Sequence, residues 1–164
     1  APGRRFDLRG TWKGRHIVDD YAHHPSEVEA TLTMAQLMVS SGRSTLPWVP
    51  QRVVAVFQPH RFSRTAEFMD RFAAALGAAD QVLLAPLYSA GESPIEGVSS
   101  AAMADRIRAN GHDAQAFEHL EDLADAVMSS SQNGDLVLVM GAGDVNRLWH
   151  LLQQMHDSNS IAAA

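Results

Sequence analysis

The 164-residue chain contains no cysteine. A disulfide framework, a thiolate zinc site and a cysteine nucleophile are thereby excluded, and a reducing compartment is compatible with the composition. Only one lysine is present, Lys13, so a receiver-type phosphorelay, which needs a lysine after its last strand, is excluded as well. Aromatic residues make up only 7%. No run of 18 apolar residues appears, which excludes a membrane-spanning helix of ordinary length. The motifs G-x-S-x-G and G-x-x-x-x-G-K-[ST] are both absent, so neither a nucleophile elbow nor a P-loop grip on nucleotide phosphates is available. The net charge of −6 argues against a general nucleic-acid partner, which calls for a basic face.

What is present suits one globular domain: 46% apolar residues, enough for a core, and 20% charged residues. A single domain is expected over residues 1–157, with a frayed tail over 158–164. No basic-then-apolar leader opens the chain, and a cytoplasmic location is expected. The arginine-bearing opening "APGRRFDLRG" starts abruptly, as expected for a piece of something longer.

Apolar runs alternate with helical periodicity along the chain. "RRFDLRGTWKGRHIVDD" predicts a hairpin turning near Trp12–Gly14. "PSEVEATLTMAQLMVSS" predicts a helix with Val28, Leu32, Ala35 and Val39 on one face, Pro25 in its first turn, and Ser26 with Glu29 as a capping box. "RVVAVFQ", "QVLLAPLY", "DAQAFE" and "DLVLVMG" read as strands. Between and after them, helices are predicted over 63–79, 101–111, 120–131 and 144–155. "SGRSTLPWVPQ" and "SAGESPIEGVSS" read as loops, the former as a surface insertion. The result is an α/β fold: an open, mostly parallel sheet with helices on both faces and an N-terminal β-hairpin.

Ligands in such sheets bind at the carboxyl ends of the strands. Chemically loaded segments fall there: "DDYAHH", "QPHRFSR", "YSAGESPIEG" and "GAGD". In the first, adjacent His23 and His24 point to opposite sides of an extended segment and cannot easily share one metal, although His60 is a conceivable third ligand. The plain alternative is a helix N-terminus, where acids are favoured and His24 caps. In the second segment, Arg61 and Arg64 flank a helix start beside His60, which suits a carboxylate or phosphate clamp. A solvated loop with two exposed arginines is the bland reading. "GAGDVN" lacks the last glycine of a dinucleotide fingerprint and follows the last strand, so NAD binding is rejected. His16, His112, His119, His150 and His156 are expected at the surface.

Together and in this order, "VDDYAHHPSE", "FQPHRFSRT", "AGESPI" and "MGAGDV" resemble the C-terminal domain of the Mur ligases of peptidoglycan synthesis, from about Arg4 to about Leu152. The second motif most resembles the alanine-adding branch. The resemblance implies a Rossmann-like domain, the third of three. The other two would bind the UDP-sugar and, through a P-loop, ATP. It implies the substrates UDP-N-acetylmuramate, L-alanine and ATP, with Mg2+ held mainly by the central domain, reaction through an acyl phosphate, and no activity of this domain alone. Carried over by motif, Arg5 would reach the ATP phosphates, and Asp19 and Asp20 would contact the ribose. Tyr21 and His23 would face the nucleotide and amino-acid site, and His60, Arg61 and Arg64 would take the amino-acid carboxylate. A recycling ligase that adds a tripeptide, or a stand-alone nucleotide or amino-acid sensor, are the alternatives. The oligomeric state is open.

Overall fold

A computed structural model describes residues 5–163, and for residues 156–163 the backbone alone. The tail expected to fray over 158–164, and His156, lie outside the residues whose side chains are described. The elements run β1 (Asp7–Trp12), β2 (Arg15–Asp20), α1 (Pro25–Ser41), β3 (Arg52–Phe57), α2 (Phe62–Leu76), β4 (Gln81–Leu84), α3 (Ser100–Ala109), β5 (Ala114–Ala116), α4 (Leu120–Ser130), β6 (Asp135–Met140) and, after a 3-10 turn at Val145–Arg147, α5 (Leu148–Ala163).

The six strands form one sheet in the order β1-β2-β6-β3-β4-β5. Only β1 is antiparallel, paired with β2 as the expected hairpin. Strand β6 is buried at every position and β3 at all but its first, as required of interior parallel strands covered on both faces. Alternation along them sends Val53, Ala55, Phe57, Leu136 and Leu138 to one core, with α1, α2 and α3. Val54, Val56, Val137 and Val139 go to the other, with α4 and α5.

Two local expectations are corrected. The box that starts α1 uses His24 and Glu27, not Ser26 and Glu29. His24 Nδ1 accepts from the Ser26 N–H at 3.3 Å, and Glu27 Oε1 accepts from the His24 N–H at 3.1 Å. Pro25 takes the first helical position, so the cap falls one residue before it. His16 is not at the surface: it is 0% exposed. It shares the α1 face of β2 with Val18, and the loop after α1 covers it, stacking Trp48 on its ring at 3.4 Å. That loop also buries Leu46 and Pro50, so it closes the sheet rather than merely decorating it.

Candidate functional site

Strand β6 lies between β2 and β3, yet its chain leaves for α5 on one face while β2 and β3 lead to α1 and α2 on the other. Connections that diverge in this way open a crevice at the carboxyl edge of the sheet. The loops after β2, β3, β4 and β6 meet around it.

Gln58, 2% exposed at the end of β3, ties three of these loops. Its Nε2 donates to Pro86 O at 3.0 Å and to Asp144 Oδ1 at 2.8 Å, while its Oε1 accepts from the Val145 N–H at 3.1 Å. The second glycine of "GAGD" is there for packing: a Cβ on Gly143 would lie 2.5 Å from Gln58 Oε1 and 2.7 Å from Tyr88 Cγ. Backbone bonds zip the β3 and β4 loops together, from the Arg61 N–H to Tyr88 O at 2.7 Å and from the Tyr88 N–H to Pro59 O at 2.9 Å.

On this scaffold a row of rings forms. Tyr21 meets His23 edge-on at 5.0 Å, His23 meets His60 at 6.0 Å, and His60 stacks on Tyr88 at 5.5 Å. His23 Nδ1 lies 2.9 Å from Tyr21 O. A carbonyl only accepts, so that nitrogen carries a proton. Burial, and then the nearby His23, Arg61 and Arg64, push His60 below the usual imidazole range, so His60 is neutral at pH 7. Its Nδ1 is buried with no hydrogen-bond partner.

Arg61 holds a φ of 72° at the start of α2 and gives that helix no side-chain cap. Its side chain is exposed, and Glu92 Oε2 lies 3.9 Å away. Arg64 follows one helical turn later, half-buried, with no ion-pair partner among the described residues. His23, His60, Arg61 and Arg64 share one corner.

The proposed nucleotide contacts are less open. Asp20, 4% exposed, has both oxygens engaged by the chain itself: Oδ2 accepts from the Phe6 N–H and Oδ1 from the Ala22 N–H, each at 2.8 Å. Asp19, 2% exposed, lies 3.8 Å from Arg9 Nε. Arg5 is exposed and sits 3.8 Å from Glu27. Burial raises the affinity of Glu27 for a proton, but the His24 and His23 N–H groups and the neighbouring cations outweigh it, leaving its carboxyl below the usual range. Among the described residues no group of three or more His, Cys, Asp or Glu is placed to hold a metal ion, so the histidine metal site is not formed here. A cleft of about 410 Å3 lies between α4 and α5, one of 380 Å3 beside β4 and α3 takes in Phe62 and Leu87 next to the corner, and one of 410 Å3 lies between α1 and α2.

Sequence reasoning missed Gln58, Tyr88 and Glu92. The available signal was position: Gln58 immediately follows a buried strand, and Tyr88 lies on the continuation of another.

The structure is thus an α/β domain with two guanidiniums and two imidazoles near the carboxyl edge of a mostly parallel sheet. The family described as "Mur ligase, glutamate ligase domain" matches residues 4–143. A UDP-N-acetylmuramate–L-alanine ligase of Synechococcus sp. (strain RCC307) is 71% identical over 163 residues, covering 99% of this chain and 34% of the relative. Among solved structures, the UDP-N-acetylmuramate–alanine ligase of Thermotoga maritima superposes with a TM-score of 0.71 at 25% identity, covering 95% of this chain and 30% of that one. A murein peptide ligase of Psychrobacter arcticus shares the fold, with a TM-score of 0.68 at 21% identity, over 91% of this chain and 30% of that one. The chain belongs to the Mur ligase family, and it spans about a third of the length of the curated relatives it matches.

Proposed function

We propose that this chain is the amino-acid- and ATP-contacting domain of an ATP-dependent ligase that joins L-alanine to UDP-N-acetylmuramate in peptidoglycan precursor synthesis, and that it is inactive alone. The observation that carries this reading is the 71% identity, across 99% of the chain, to a ligase named for that reaction.

In this reading the muramyl carboxylate is activated as an acyl phosphate, the amine of alanine attacks it, and phosphate leaves. Arg61 and Arg64 receive the alanine carboxylate, because paired guanidiniums match its geometry and charge. His23 and His60, with Tyr21, wall the space in which the amine sits. His60, held below the usual imidazole range by its burial, adds no charge there to repel it. The contribution is positioning and electrostatics, not covalent catalysis.

For ATP, Arg5 and half-buried Tyr21 offer surface to the nucleotide. Asp19 and Asp20 act from behind, holding the end of β2 and the backbone of Phe6. ATP supplies the phosphoryl group. Mg2+ is held mainly by the rest of the parent protein.

The test is phosphate release by the full-length parent with UDP-N-acetylmuramate, ATP, Mg2+ and a panel of L-alanine, L-serine, glycine and murein tripeptide. Release that requires a free amino acid, with alanine preferred, supports the reading. Release with the tripeptide but not alanine overturns it in favour of a recycling ligase.

A further inference from the structure

In the stretch 88–97, between β4 and α3, every residue is exposed except Glu92. Tyr88 anchors the start of this stretch on Pro59 and Arg61, and Glu92 seats the glycine-rich part beyond it. Glu92 Oε1 accepts from the Ser63 N–H at 2.9 Å and its Oε2 from the Ser63 hydroxyl at 2.6 Å. Those donors belong to the first turn of α2, which Arg61 leaves without a side-chain cap. Glu92 thus supplies from another loop the cap that α2 lacks locally, and its charge suits a helix N-terminus. The Ser63 bonds, and then Arg61, hold its carboxyl below the usual range, so it is ionised at neutral pH.

The chain reaches this seat through two consecutive left-handed residues, Ala90 at φ 52° and Gly91 at φ 86°. A left-handed alanine is a conformation that surrounding contacts must impose. Among the described residues of the loop, Glu92 is the one with side-chain hydrogen bonds to α2, both to Ser63.

We propose that Glu92 is a positioning residue of the amino-acid site: by seating the 89–97 loop on α2 it orients Arg61 and Arg64 to receive the amino-acid carboxylate. The proposal rests on the reading of that corner as the amino-acid site. Because Glu92 already occupies the amide donor of Ser63, the incoming carboxylate is taken by guanidinium groups and not by the helix terminus. The roles divide: Glu92 takes the backbone of the first turn, and the substrate takes the arginine side chains.

The test compares Glu92→Ala and Glu92→Gln in the full-length parent by steady-state kinetics and by hydrogen exchange at the Ser63 amide. Glu92→Ala is expected to raise the alanine KM about tenfold, the scale of a lost charged hydrogen bond. The ATP KM should stay unchanged and Ser63 should lose protection. Glu92→Gln keeps an acceptor for the Ser63 N–H and should recover most of both. An unchanged or lowered alanine KM in Glu92→Ala overturns the proposal. A lower melting temperature with KM intact means that Glu92 is structural only. A wild-type parent that ignores amino acids defeats the site reading itself. In that case the exchange data still decide whether Glu92 seats the loop, and unchanged Ser63 protection in Glu92→Ala overturns that part too.

Discussion

Gln58 and Asp144 stand 86 residues apart in the chain and are joined by a 2.8 Å hydrogen bond across the carboxyl edge of the sheet. This bond locks the loop after β3 to the loop after β6, and the same glutamine reaches the β4 loop through Pro86 O. The arginine corner is therefore mounted on a buried side-chain tie, not on loop conformation alone.

The tie leaves no room for a methyl group at residue 143. Gly143→Ala would drive a Cβ to within 2.5 Å of Gln58 Oε1 and 2.7 Å of Tyr88 Cγ. Overpacking of this kind is expected to cost about 1–3 kcal/mol, read as a shift in the urea midpoint. The ring stack of Tyr88 on His60 should be displaced with it, which chemical shifts of the His60 ring would report.

His16 predicts a pH dependence. Burial holds its imidazole below the ordinary value of 6.5, so the unfolded chain takes up the proton first as pH falls. The folded state is thus favoured above pH 6.5 and progressively loses that advantage as pH drops from there to the lowered folded value. His60 is shifted in the same direction and adds to the effect. Because both His16 nitrogens lack partners, His16→Leu should leave stability at pH 7.5 nearly unchanged or improved and should weaken the acid-side loss. Melting temperatures between about pH 5 and 7.5 check this.

Arg52 and Asp135 form the buried ion pair of the sheet's amino edge, with Arg52 Nη2 2.8 Å from Asp135 Oδ2 and the carboxylate 0% exposed. Arg52→Ala would leave that carboxylate with the Gln132 N–H at 2.9 Å as a remaining donor, and a loss of about 1.5–3 kcal/mol is expected, the scale of a hydrogen bond to a charged group. Equilibrium urea unfolding measures it. The site corner is at the opposite edge, so ligand affinities should not follow the stability change.

The order of strands and helices was legible because its signals are local. Val-rich runs such as "RVVAVF" cannot be amphipathic helices, and Pro25 and Gly42 mark the two ends of α1. The sheet order was not legible, since nothing in "DLVLVM" says that β6 inserts between β2 and β3. His24 was legible as a cap of α1, but the capping box was set two residues late because Ser26–Glu29 matches the usual pattern. His16 looked like a surface residue because its cover, Trp48, comes from a loop 32 residues later whose path no periodicity encodes. At the site, Arg61, Arg64, His23 and His60 were legible as residue types placed after strands. Glu92 and Gln58 were not, because their importance lies in bonds to distant loops.

The central claim is that Arg61 and Arg64 receive the carboxylate of alanine. The most direct measurement is the steady-state kinetics of the full-length parent carrying Arg61→Ala or Arg64→Ala, with alanine and ATP varied separately. The account predicts an alanine KM raised about tenfold or more in each variant, as for loss of a charge-assisted hydrogen bond, with the ATP KM within about twofold of wild type. Unchanged alanine KM values in both variants would contradict it, and the two arginines would then be solvated residues on an exposed helix turn.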